Sequence, residues 1–195
     1  MALDPNEVLV APTGHLYLAP EGTAGPADLT TAWPAAWVDL GYLSEDAVTM
    51  SSDAEETEIG AWQSDNPIWS NVSVGRSIQF QLMQWNEDTL LFAFGGGTYT
   101  EGAGFFTYTA PPVAGYEVSA LGLEVIDGSK VTRLVWHRVK ITDMGDVTFK
   151  GDEAAMLDLT VKLLDNGAAE PWFAIKPLAT GGATLAAPRP TTKAA

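Results

Sequence analysis

Three things are missing from this chain of 195 residues. Cysteine is absent altogether, which excludes a disulfide framework, a thiolate nucleophile and a Cys-ligated metal site, and fits assembly in a reducing compartment. No apolar run approaches the ~20 residues a membrane-spanning helix needs. The start, Met1 to Pro5, has neither a basic nor an apolar stretch of the kind that marks a secretion signal, so neither export nor a membrane anchor is expected. The third absence is one-sided: the first 75 residues hold twelve carboxylates and no Lys or Arg, and the first cation is Arg76. A surface that grips nucleic acid or an anionic membrane offers cations to phosphate, and this half offers none.

The remaining 120 residues carry thirteen acids and ten bases, so the net charge of −15 divides into −12 and −3. The bases gather at Lys130, Arg133, Arg138, Lys140 and Lys150. Such polarity suits contact between copies of one chain, acidic face to basic face, although a solvated surface kept for solubility has the same composition.

Catalytic chemistry finds little purchase. The two histidines, His15 and His137, fall inside expected strands beside apolar neighbours. No nucleophile elbow, phosphate-binding loop, zinc-protease helix or EF-hand spacing occurs. The adjacent carboxylates Glu45-Asp46, Glu55-Glu56 and Asp152-Glu153 fall in turns or in an acidic stretch, where solvation is the usual fate. Asp143 and Asp146 have few oxygens around them for a calcium ion. No catalytic residue, no metal ligand and no cofactor site is therefore expected.

Short β-rich runs separated by turn signals dominate, in the manner of an antiparallel β protein. Strands are expected at 14–19, 37–43, 47–51, 68–75, 77–85, 104–109, 117–126, 130–142, 146–151 and 154–164. Asp127-Gly128 should close a hairpin and Asn166-Gly167 a second turn, since glycine accepts positive φ. Ser77 to Leu82 alternates, with Ile78, Phe80 and Leu82 on one face and Ser77, Gln79 and Gln81 on the other; Leu157 to Leu163 does the same, with Asp158, Thr160 and Lys162 outward. One short helix is expected: Asn86 as N-cap, Glu87 and Asp88 in the first turn, Leu90, Leu91 and Phe94 inward, and Gly95 as the stop. Gly95 to Gly97 read as a connector. Residues 1–13 and 177–195 read as arms around a body at 14–176. Within the body, 53–67 reads as a long acidic loop that carries Ile59 and Trp62, a surface suited to a partner. Of the seven tryptophans, Trp33, Trp37, Trp62 and Trp69 fall in the acidic half, which favours assembly, while a carbohydrate-binding sandwich would use aromatics too.

Three blocks then carry a resemblance: Gly14 to Thr23, Val38 to Val48, and Glu55 to Gln63. With Phe80 to Trp85, Asn86 and the short helix following, their succession over residues 10 to 165 resembles the tail tube (major tail) proteins of long non-contractile-tailed bacteriophages, particularly those of actinobacteria. The resemblance implies a mainly β fold, an antiparallel β-sandwich with one short flanking helix, whose strands join a ring-spanning β-barrel on hexamerisation. It implies stacked hexameric rings, a conduit for genomic DNA that passes without sequence-specific binding, and tape measure, tail terminator and tail tip proteins as further partners in the virion, after assembly in the host cytoplasm. By position, the resemblance gives the inter-ring contact to Glu55, Glu56, Glu58, Ile59 and Trp62. A wall that repels a polyanion weakly and binds it nowhere suits Gln79 and Gln81 as lumen candidates, with the outer tube surface as the other place for them, and Lys162 beside Asp158 shows that not every polar face suits a lumen. The alternative from a different class is a carbohydrate-binding or adhesive β-sandwich on a virion or cell surface.

Overall fold

A computed structural model describes residues 8–61, 64–128, 130–165 and 172–175, with side chains left undescribed over 54–61 and 64–74. Ten strands and one helix follow in the order β1 (Thr13–Pro20), β2 (Val38–Asp39), β3 (Leu43–Ala61), β4 (Ser64–Leu82), α1 (Glu87–Ala93), β5 (Thr98–Glu101), β6 (Phe106–Thr109), β7 (Ser119–Asp127), β8 (Lys130–Met144), β9 (Leu157–Leu163) and β10 (Trp172–Ile175). Every pairing is antiparallel. The main sheet runs β2-β1-β7-β8-β9-β4-β3, and β10 also pairs with β8.

The 15-residue β8 explains how one sheet makes a sandwich. Its first half, Arg133 to Trp136, pairs with β10, and its second half, Val139 to Met144, pairs with β9. One half therefore belongs to a β1-β7-β8-β10 layer and the other to a β8-β9-β4-β3 layer. Leu16 and Leu121 from the first layer meet Ile78, Phe80, Leu157, Leu159 and Val161 from the second in a single core. The alternation read in Ser77 to Leu82 sets this up: Ile78, Phe80 and Leu82 are buried while Gln79 is exposed. Helix α1 buries Leu90 and Ala93, with Ala93 packed against that core. Its start is fixed by a reciprocal cap in which the Thr89 amide donates to Asn86 Oδ1 and the Asn86 amide donates to Thr89 Oγ1, both at 3.0 Å.

Several elements differ from expectation. The segment expected as the loop 53–67 is a two-stranded ribbon: Asp53 pairs with Gly75, Glu56 with Asn71, Glu58 with Trp69 and Ile59 with Ile68. Its acids and small residues disguise it, because they show none of the apolar alternation by which a strand is read from sequence. Residues 146–151 form no strand, whereas β5 and the four-residue β10 were not foreseen. Gly95 to Gly97 form a fixed turn with φ of 67°, 109° and 116°, held by the Gly96 amide on the Leu91 carbonyl at 2.7 Å. The Asp127-Gly128 turn does close the β7–β8 hairpin, with Asp127 opposite Lys130 and Gly128 at φ 58°. Asn166-Gly167 and the arm at 177–195 lie outside the described residues, as does the N-terminal arm up to residue 7.

Candidate assembly surfaces

Beyond Asp53 and Gly75 the β3–β4 ribbon leaves the body, since β4 meets β9 only from Ser77 onward. Eight to eleven residues of strand on each side project roughly 30 Å at the usual rise. Glu55, Glu56, Glu58 and Ile59 occupy β3 of this ribbon, and Trp62 lies outside the described residues, in the link between Ala61 and Ser64. A register shift separates Glu55 from Glu56, a bulge that bends and twists the strand locally. Among the described residues β3 pairs with β4 alone, so its outer edge offers free backbone donors and acceptors to another strand.

The face of β8-β9-β4-β3 turned away from the core is polar. Gln79 lies between Thr49 and Thr160, and Gln81 beside Asp158. Both amides converge on one carboxylate: Gln79 Nε2 donates to Asp158 Oδ1 at 3.3 Å and Gln81 Nε2 to Asp158 Oδ2 at 3.4 Å. Amide donors thus cover part of one anion, while the exposed Asp46 lines the same hollow as Gln79 and Gln81.

The opposite layer has its own covered face. A segment from 21 to 37 lies over β1, β7 and β8, where Trp33 stacks on Tyr17 with centroids 4.5 Å apart and meets Trp37 edge-on at 5.0 Å. Gly122 makes this possible, because a Cβ there would sit 2.4 Å from the Trp33 ring. Arg133 ties the segment down. Its side chain, 7 % exposed, binds Glu124 at 2.5 Å and donates Nη1 to the carbonyls of Asp28 and Thr31 at 2.7 and 2.6 Å; Trp33 Nε1 donates to the same Glu124 oxygen at 3.0 Å. Two of the tryptophans expected at an interface, Trp33 and Trp37, are therefore packed within the subunit. The desolvated setting of Tyr17, with Glu124 and Asp39 nearby, raises its phenol above the ordinary value.

The basic cluster is likewise largely consumed inside the subunit. Arg133 serves Glu124, Arg138 pairs with Glu21 at 2.6 Å and donates to the Asp165 carbonyl, and Lys150 pairs with Glu153 at 2.8 Å. These cations hold loops. No single charge class in the sequence separates such staples from cations left for a partner.

Asp28 is the local organiser of the 21–37 segment. It accepts from the amides of Thr31 and Thr30 at 2.6 and 2.7 Å and from both hydroxyls at 3.0 Å, and these bonds, the Thr31 amide foremost, lower its pKa to about 2. A carboxylate depressed from the ordinary value of about 3.9 contributes stability above that value and loses it as pH falls through 2. Carboxyl NMR should show Asp28 titrating near 2; Asp28→Ala should lower the amide-exchange protection of Thr30 and Thr31 at neutral pH, where the carboxylate of the parent accepts from both amides.

Among the described residues no group of three potential metal ligands converges, and no helix is long and apolar enough to cross a membrane. His15 pairs with the exposed Asp39 at 2.9 Å and stands opposite Glu124 in the β1–β7 register, and His137 lies against Phe173 with ring centroids 5.3 Å apart.

The sequence of residues 1–179 matches the family model described as phage tail tube protein. The chain belongs to the phage tail tube protein family. It is a structural protein of the virion tail, and the match lends nothing to the carbohydrate-binding alternative. Among solved structures this tail tube protein is similar to a chain of the anti-feeding prophage baseplate, at 10 % identity and a TM-score of 0.46, covering 90 % of this chain and 97 % of that one. A chain from the virion of a native gene transfer agent particle is similar at 13 % identity and a TM-score of 0.34, covering 73 % and 89 %. Among curated proteins none matches. The family assignment rests on the 1–179 match, since both structural scores fall below 0.5.

Proposed function

We propose that this tail tube protein closes into hexameric rings that stack into a hollow tube, and that the Gln79–Gln81 end of the polar face of β8-β9-β4-β3 lines its bore. The observation that carries this reading is the one-sidedness of that layer: a continuous core on one face, polar side chains on the other with neutral amides at Gln79 and Gln81, and an edge at β3 that is unpaired among the described residues. Pairing that edge with a neighbouring copy extends the sheet around a ring and removes an edge otherwise open to misassembly. The projecting β3–β4 ribbon, with Glu55, Glu56, Glu58, Ile59 and Trp62, then reaches the next ring. Tape measure, tail terminator and tail tip proteins are its further partners, and free subunits form in the host cytoplasm. The protein works without catalysis or cofactor.

Genomic DNA passes a wall in which Gln79 and Gln81 present neutral amides. Cations there would release counterions at every phosphate contact, and the attraction summed over many rings would hold the DNA in place. Carboxylates do the reverse only gently, at about 0.4 kcal/mol for unit charges ~10 Å apart in water, trimmed further by a screening length of about 8 Å. Negative-stain images of the concentrated protein should show rings or hollow filaments. A species that stays monomeric at every salt and protein concentration would count decisively against the reading.

A further inference from the structure

Lys140 and Lys162 are directly opposed across β8 and β9. Both are exposed, and both lie on the polar face, because their neighbours Val139, Ile141 and Val161 are buried in the core. Opposed side chains of an antiparallel pair stand about 5 Å apart at Cβ, where like charges destabilise the sheet. Neither lysine has an ion pair among the described residues, whereas Arg133, Arg138 and Lys150 each have one. Ser77 faces Lys162 from β4, and Ser51 faces Ser77 from β3, so the row Lys140-Lys162-Ser77-Ser51 crosses the whole layer at the foot of the projecting ribbon. Beside it is a hollow of about 350 Å³ lined by Asp53, Gly75, Arg76, Ser77, Thr142 and Lys162, among others. Gly75 lies in its floor, where a Cβ would come to 3.7 Å from the Asp53 carbonyl oxygen and 3.9 Å from Lys162 Cε. Asp53 is the one acid on its rim, against Lys162 and Arg76, with Lys140 alongside.

We infer that this lysine row and hollow receive the acidic ribbon of a second copy of the chain. The inference rests on the tube reading above and adds the contact that sets how copies meet. Charge complementarity selects the occupant: from Ser52 to Pro67 the sequence carries five carboxylates and no base, Asp53, Glu55, Glu56 and Glu58 fall on the free edge strand β3, and the row offers cations that their own subunit leaves unneutralised. A carboxylate arriving from another copy relieves the repulsion between Lys140 and Lys162, so the pair is costly in the free subunit and favourable in the assembly. It also ties register to charge, since misaligned copies would set ribbon against acid.

The test is charge reversal on both sides, read by pelleting of assembled material and by negative stain. Lys140→Glu with Lys162→Glu should leave far-UV circular dichroism unchanged and reduce assembly at least 10-fold. Glu55→Lys with Glu56→Lys and Glu58→Lys should do the same, and the chain carrying all five substitutions should regain assembly. In wild-type assemblies, zero-length carbodiimide cross-linking should join Lys140 or Lys162 to ribbon carboxylates of another copy. A Lys140→Glu, Lys162→Glu protein that assembles like wild type overturns the inference and leaves the tube reading standing. So do cross-links that connect these lysines only to other segments. A wild-type chain that never assembles sinks both.

Discussion

Replacing Arg133 with alanine is expected to lower stability by about 3–5 kcal/mol, the usual cost of removing one partner of a buried ion pair. The side chain is 7 % exposed and its Glu124 partner 12 %, so the deletion strands a carboxylate in a site that water reaches poorly. The loss spreads because Arg133 also holds the carbonyls of Asp28 and Thr31 and lies over the Trp33 ring at 5.6 Å. Without it the 21–37 segment keeps Trp33, Trp37, the Asp28 turn and the Glu21–Arg138 pair. Urea denaturation should show the midpoint falling, with tryptophan emission shifted to the red as Trp33 and Trp37 gain water. Arg133→Lys should recover part of the stability, since an ammonium reaches Glu124 but cannot also serve two carbonyls in a fixed plane. A loss under about 1 kcal/mol for the alanine variant would mean that packing, and not the guanidinium, holds the segment.

The second large effect concerns assembly with the fold intact. Excising residues 56–72 and joining Glu55 to Ser73 through an Asn-Gly turn shortens the ribbon to a tight hairpin without disturbing the register between Glu55 and Ser73. The removed part pairs only with itself among the described residues. The body should therefore keep its circular dichroism and melt within a few degrees of the parent. Assembly should fall by more than 10-fold, because in the proposed tube the ribbon carries the contact with the next ring. Trp62→Ala is the milder form of the same experiment. Filaments of normal length from the shortened chain would show that copies join through other surfaces, of which the exposed Phe105, Phe106 and Val113 are the most apolar.

How much of this was legible in the sequence depends on whether local chemistry or distant contact set each feature. Helix α1 was readable to within a residue because Asn86, Glu87 and Asp88 act on their own turn. The β4 and β9 alternation was readable because one face of each strand is buried and the other is not. Residues 53–67 of the β3–β4 ribbon do not read as strand from the sequence: the two sides of the ribbon pair with each other, and over this stretch of acids and small residues the order of apolar residues shows no alternation. Trp33 and Trp37 were assigned to an interface because their number and acidic surroundings are visible in the sequence, whereas Gly122, the glycine that admits the Trp33 ring, lies some ninety residues further along the chain. Within the basic cluster, Arg138 and Arg133 are taken up by Glu21 and Glu124, which are distant in the chain or on another strand, and Lys150 by the neighbouring Glu153, while Lys140 stays exposed.

By itself the sequence determined what depends on neighbours a few positions apart: a β-rich chain with one capped helix, a turn at Asp127-Gly128, strands polar on one side, and an amino-terminal half without a cation. Only the tertiary structure decided that one sheet folds over through β8, that the acidic stretch stands out from the body as a ribbon, and that Lys140 faces Lys162 while Arg133 is spent inside. Pairing between strands is a matter of which distant residues share a register, and no local preference encodes that choice; it is settled when both layers close on a common core.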